Sequence, residues 1–168
     1  LKQHVKRKQP NSRSCLVCGL RNPFGLKARF FEMDNGELVC LFTPEAHHQG
    51  YPGRLHGGIA AAILDEAIGR AVQVNREDTV WGVTLEFTIQ YKKPIPLDRE
   101  LKAVCRFTKE TGRSFEGSGE ILLPDGTVAA SGQGRYLKLP IDKIADFNPE
   151  EADWQVVRDH QDPIEIEL

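Results

Sequence analysis

Between Tyr51 and Val74 the sequence reads YPGRLHGGIAAAILDEAIGRAVQV, and no other stretch limits the architecture so tightly. A Gly/Pro-rich lead enters His56-Gly57-Gly58, and then the longest apolar run in the chain begins, broken by a single acidic pair, Asp65-Glu66. Wound at 100° per residue, the run does not behave as an ordinary surface helix. Glu66, Arg70 and Gln73 share one narrow polar sector that can face solvent, with Glu66 and Arg70 spaced for an exposed i,i+4 ion pair. Asp65 falls outside that sector, among Gly58, Ala61, Ala62, Gly69 and Val72. A glycine inside a helix costs roughly 1 kcal/mol relative to alanine, so Gly69 implies that another group comes close to the helix backbone.

The first N–H groups of a helix lack intrahelical partners. At Gly57 and Gly58 no side chain obstructs them, and the helix dipole adds attraction for a negatively polarised oxygen. With a carboxylate two turns further on, the stretch fits acyl transfer: donors for an oxyanion, and an acid to attack or to activate water. The alternative is a buried helix with tolerated glycines and an acid bonded to a neighbouring strand.

The rest of the chain predicts strands. Lys27 to Phe31 and Glu37 to Phe42 flank Asp34-Asn35-Gly36, a hairpin turn. Trp81 to Tyr91 alternates throughout, with Trp81, Val83, Leu85, Phe87, Ile89 and Tyr91 on one face, which predicts a strand with that face buried. Leu101 to Thr108, Ser114 to Leu122 and Thr127 to Leu139 follow, separated by turn residues, and the last two are rich in Gly, Ala and Ser. Such small residues let a second backbone approach, as a sheet requires in order to wrap a helix. With no helix between the later strands, an antiparallel sheet is expected. The fold class is therefore α+β: about six antiparallel strands curved round one central helix.

Length and charge limit the rest. At 168 residues the chain suits one domain, and a net charge of −2 gives no case for nucleic acid. No apolar run approaches the ~20 residues that cross a bilayer. Residues 1–14 are basic, lack the apolar core of a signal peptide, and read as a flexible tail. Residues 15–147 form the domain. Residues 148–168 read as a short helix opened by Asn148-Pro149-Glu150-Glu151, carrying Trp154 onto the domain, and a tail. Cys15 and Cys18 have a zinc-pair spacing, but no second pair is evident, so no metal is expected. A redox reading stays open. The loop histidines His47 and His48 read as exposed.

His56-Gly57-Gly58, followed by Asp65-Glu66-Ala67, resembles the central-helix motif of hotdog-fold acyl-CoA thioesterases. The closest group is the phenylacetate-pathway type within the hydroxybenzoyl-CoA thioesterase superfamily. The likeness runs from about Cys15 to Leu139, and the opening Cys-x-x-Cys-Gly with Asn22-Pro23 and Gly25-Leu26 is similar to an N-terminal cap found there. It implies Asp65 as nucleophile or general base and the Gly57 and Gly58 amides as oxyanion donors. His56 would hold the loop at the helix start, and Gln49 would help orient the thioester. Aligning Gly82-Val83-Thr84 with the family's long strand makes Thr84 the water-positioning group, from a second subunit, with Val83 beside it as a substrate-binding residue. Lys92, Lys93, Lys109, Arg113 and Lys138 are candidates for CoA phosphates. The resemblance further implies a cytoplasmic homodimer or dimer of dimers with a shared active site. CoA would enter as part of the substrate, with no separate cofactor. A non-catalytic acyl-CoA sensor and a hydroxyacyl-thioester dehydratase are the alternatives on the same fold.

Overall fold

The computed structural model describes residues 1–168. One α-helix, α1 (Gly57–Arg70), lies against an eight-stranded sheet. The strands are β1 (Lys2–Lys8), β2 (Arg29–Met33), β3 (Leu38–Phe42), β4 (Gly82–Tyr91), β5 (Leu101–Glu110), β6 (Ser114–Leu122), β7 (Val128–Lys138) and β8 (Glu165–Glu167). Their order across the sheet is β4-β7-β6-β5-β3-β2-β1-β8, and every pairing is antiparallel. All six expected strands are present, and two more extend one edge.

The helix buries Ala60, Ile63, Leu64, Ala67 and Ile68. Glycines set how near the sheet comes to it. A Cβ at Gly117 would stand 2.8 Å from Ile68 Cγ2 and 2.9 Å from the Arg106 carbonyl, and one at Gly119 would meet Cys105 Sγ at 2.6 Å. The small residues of β6 are thus the surface into which Ile68 seats. No helix is long and apolar enough to cross a membrane.

Four expectations are corrected. Residues 1–14 are not a flexible tail, because β1 pairs with β2 and β8. Its basic side chains find acids: Lys8 meets Asp162 at 2.7 Å, and Arg7 meets the fully buried Glu32 at 2.8 Å. The Glu66–Arg70 pair is not exposed. Residues 9–18 lie over that sector, with Arg70 donating to the Pro10 carbonyl at 2.8 Å and its guanidinium 4.1 Å from the Phe30 ring centre. Residues 148–157 form turns and no helix. Asp153 sits at φ +48°, and Gln155 exchanges backbone hydrogen bonds with Asn11, so the helical turn cannot continue. Trp154 still docks on the domain, 5.4 Å from Trp81.

The fourth correction concerns β4. Its pairing with β7 shifts between Thr84 and Glu86, so Leu85 is an extra residue. A bulge of this kind reverses which side chains face the core. Thr84 therefore shares the helix-facing side with Phe87 and Ile89, and Leu85, expected on a buried face, is 51% exposed. Tyr91 keeps the helix-facing side, bonded to the Gly57 carbonyl, yet is 55% exposed at the end of this edge strand.

The close seat of Ile68 predicts that Gly117→Ala costs about 1–3 kcal/mol through overpacking. Chemical denaturation would read this as a lower midpoint with unchanged slope. An unchanged midpoint would mean that the sheet can retreat from the helix.

Candidate active site

Asp65 sits near the middle of α1 and is half-buried. Its carboxylate accepts from the Thr84 hydroxyl, at 2.9 Å on Oδ1 and 3.2 Å on Oδ2. The Tyr136 hydroxyl bonds its main-chain carbonyl at 2.8 Å and Oδ1 at 3.3 Å. Three elements meet here: α1 supplies the acid, β4 the threonine and β7 the tyrosine. The bulge at Leu85 is what turns Thr84 inward. Gly69 makes room for the tyrosine, since a Cβ there would stand 3.1 Å from Tyr136 Cε1. Phe115 stacks on the other side of the ring at 5.0 Å. Burial first, and then the Asp65 charge, push the Tyr136 phenol well above its ordinary value, so it stays a proton donor.

Asp65, Thr84 and Tyr136 line a cavity of about 880 Å³ together with Trp81, Phe115 and Trp154. Tyr136 was not among the residues singled out from the sequence. The available signal was Gly69, which announces a close neighbour without saying which one.

The helix start has a different arrangement. The Gly58 N–H donates to His56 Nδ1 at 2.9 Å, so His56 caps the helix and takes one of the two amides expected to be bare. The Gly57 N–H has no partner in the chain. The Gly57 carbonyl accepts from Tyr91 at 2.7 Å, which fixes the helix start beside the far end of β4. Eight residues separate Gly57 from Asp65, about 12 Å at ~1.5 Å per residue. None of residues 56–58 lines the cavity that holds Asp65. Thr84 reaches the Asp65 of its own chain, not that of a second subunit as expected.

The remaining candidates are dispersed. Gln49 is exposed and accepts from the Gly53 N–H at 3.3 Å. Val83 pairs with Leu137 and points away from Thr84's side of the strand. Lys138 lies opposite Gly82 and bonds Glu110 at 2.8 Å, while Lys109 and Arg113 are exposed near the β5–β6 turn. Lys92 and Lys93 follow the opposite end of β4, so the five cations form two separate groups. His47 is exposed as expected, but His48 is buried and bonds the Phe24 carbonyl through Nε2 at 2.8 Å.

A second polar cluster lines the same cavity. Cys15, Cys18 and Glu66 hold their ligand atoms within 4.8 Å of one another. Cys15 Sγ donates to Glu66 Oε2 at 3.1 Å, while Cys18 Sγ lies 3.2 Å from both Arg70 and the Ser12 hydroxyl. The hydrogen bond from Cys15, aided by Arg70 and Ser12, lowers the Cys18 thiol below its usual value. The same hydrogen bond, with burial and Glu66, raises Cys15.

Residues 52–130 match the thioesterase superfamily. Acyl-coenzyme A thioesterase THEM4 of Rattus norvegicus is 34% identical over 117 residues, covering 69% of this chain and 49% of that protein. The chain thus spans about half the length of this curated relative. A Bacillus halodurans protein crystallised with CoA is 25% identical with a TM-score of 0.61, covering 68% of this chain and 76% of that one. A second crystal structure, of a thioesterase superfamily protein, is 27% identical with a TM-score of 0.67, covering 74% and 60%. The PaaI protein of the E. coli phenylacetic acid degradation operon, at 20% identity and a TM-score of 0.61, has the same fold. With one helix wrapped by an antiparallel sheet and the segment that matches the thioesterase superfamily running through it, the chain has the hotdog thioesterase fold.

Proposed function

We propose that the protein hydrolyses acyl-CoA thioesters to a free acid and CoA, with Asp65 as nucleophile or general base. The observation that carries this reading is the Asp65 carboxylate, held by the Thr84 and Tyr136 hydroxyls on the wall of a cavity of about 880 Å³. A fixed carboxylate can attack the thioester carbon or take a proton from water. Thr84 then orients either the acid or the attacking water. CoA is part of the substrate and water the only co-reactant, so the reading needs no separate cofactor. The relative crystallised with CoA supports this substrate class.

An oxyanion donor is also needed, and the free Gly57 N–H is about 12 Å along the helix from Asp65 in the same chain. We infer that the two act together across a dimer. β4 is an edge strand of ten residues, long enough to pair with another copy of itself. In an antiparallel register centred on the strand, Thr84 of one copy lies opposite Ile89 of the other, and Tyr91 lies opposite Gly82, two residues from Thr84. Tyr91 is bonded to the Gly57 carbonyl, so this register carries one helix start toward the other copy's Asp65. His56 then serves as the cap that shapes the donor.

Asp65→Asn is expected to lower thiol release from CoA thioesters by on the order of 10²–10⁴-fold, the usual scale of acid–base catalysis, at unchanged melting temperature. Equal rates in variant and parent would remove Asp65 from the chemistry. Binding without turnover by the parent would favour the sensor, and enoyl absorbance from a hydroxyacyl-CoA the dehydratase.

Subunit mixing tests the shared site. Gly57→Pro deletes the donor N–H at the first helical position, where proline is tolerated, and should cost on the order of 10²–10³-fold. Refolding it together with Asp65→Asn should restore roughly a quarter of parental activity, because half of the two-fold dimers then hold one intact site. Two variants that stay inactive after mixing would place donor and acid on one chain.

A further inference from the structure

The hydrolysis proposed above makes no use of Cys15 and Cys18, although both line the Asp65 cavity. The Gly19 N–H bonds the Cys15 carbonyl at 2.9 Å, so residues 15–19 form one helical turn. Residues three apart on such a turn share a face. A Cβ at Gly19 would stand 2.4 Å from the Cys15 carbonyl, so the turn closes this tightly only with glycine there. The two sulfurs lie within 4.8 Å of each other and of a Glu66 oxygen. Cys15 is half-buried and Cys18 is buried, so an oxidant in the cavity meets Cys15 first.

We propose that Cys15 and Cys18 are a modification site, a dithiol that small-molecule disulfides convert reversibly to an intramolecular disulfide. Cys15 is the attacking sulfur because the oxidant reaches it first; its raised thiol gives up its proton to Glu66, 3.1 Å away, as the new bond forms. The Cys15 sulfur bonds one sulfur of the oxidant and the oxidant's S–S bond breaks. The first thiolate leaves and takes the proton held by Glu66. Cys18, whose sulfur receives the Arg70 N–H and faces the Ser12 hydroxyl, then loses its proton to solvent and attacks Cys15. The protein disulfide forms, and the second thiolate leaves and is protonated by solvent. Two electrons pass from the dithiol to the oxidant, which is released as two thiols.

A metal would use the same three donors, but the Arg70 guanidinium already contacts Cys18 at 3.2 Å and Glu66 at 2.9 Å. That cation neutralises the charge a dication would need. Cys40 and Cys105 are fully buried, with burial as the main force raising both thiols, and they serve as internal controls. The contacts at stake tie residues 12–18 to α1 beside Asp65. Oxidation removes both the Cys15–Glu66 bond and the free Cys18 thiol that faces Arg70.

The test treats the full chain with oxidised glutathione and counts thiols after denaturation, with peptide mass mapping under non-reducing conditions. Four free thiols should become two, with a Cys15–Cys18 peptide lighter by two hydrogens and restored by a reducing thiol. Cys18→Ser should trap glutathione on Cys15, and Cys15→Ser should form no adduct. Four unchanged thiols in the parent would overturn the proposal, as would a glutathione adduct that persists on parental Cys15. Stoichiometric zinc in the native mass spectrum would overturn it too. The parental result needs no variant to fold.

Discussion

Everything in this fold depends on how closely α1 and the sheet approach each other. Ile68 seats against Gly117 and Gly119 of β6, and Gly132 of β7 lets Leu64 and Ile68 pack beneath it. At that spacing β7 carries Tyr136 over Gly69, and its hydroxyl reaches the Asp65 carbonyl and carboxylate. A sheet held one methyl further out would lengthen those contacts. The packing that excludes water from the core is therefore also what presents an acid, with two hydroxyl partners, to a cavity.

Much of the fold was legible in the sequence, because its signals were local. An apolar run without a broad polar face can only be a wrapped helix, and six strands separated by turn residues supply the wrapping. What could not be read were pairings between distant segments. Lys2–Lys8 contains one apolar residue, Val5, and becomes a strand because β2 and β8 offer backbone partners and Asp162 and Glu32 offer charges. The Asn148-Pro149-Glu150-Glu151 signal failed because Gln155 pairs with Asn11, a contact over more than a hundred residues. The polar sector of α1 implied solvent, and its actual covering is residues 9–18, whose own polar groups bond Arg70.

The site was legible in part for similar reasons. Spacing picked out Asp65, and the resemblance picked out Thr84, whose hydroxyl bonds it. The strand's unbroken alternation nevertheless put Thr84 on the face opposite Phe87 and Ile89. The bulge at Leu85 leaves no mark in a pattern of side-chain types, since it is a property of the β4–β7 register. Tyr136 was missed because a tyrosine in an alternating strand looks like any β-former. The glycine amides were read as a pair, yet a histidine before them can act as an N-cap acceptor and removes one. The cations were read as one group because strand ends look alike in sequence, whereas β4 keeps Lys92 and Lys93 remote from Lys138.

An acid and a helix start stand apart in one chain, and the proposed hydrolysis needs two copies to bring them together. The most direct measurement is a crystal structure with a non-hydrolysable thioether analogue of an acyl-CoA. It should show the carbon that mimics the thioester centre within about 3.5 Å of an Asp65 carboxylate oxygen, the separation of a reacting pair. The analogue's carbonyl-equivalent oxygen should face Gly57 of the second copy. An analogue bound away from Asp65, or one enclosed by a single chain, would contradict the account.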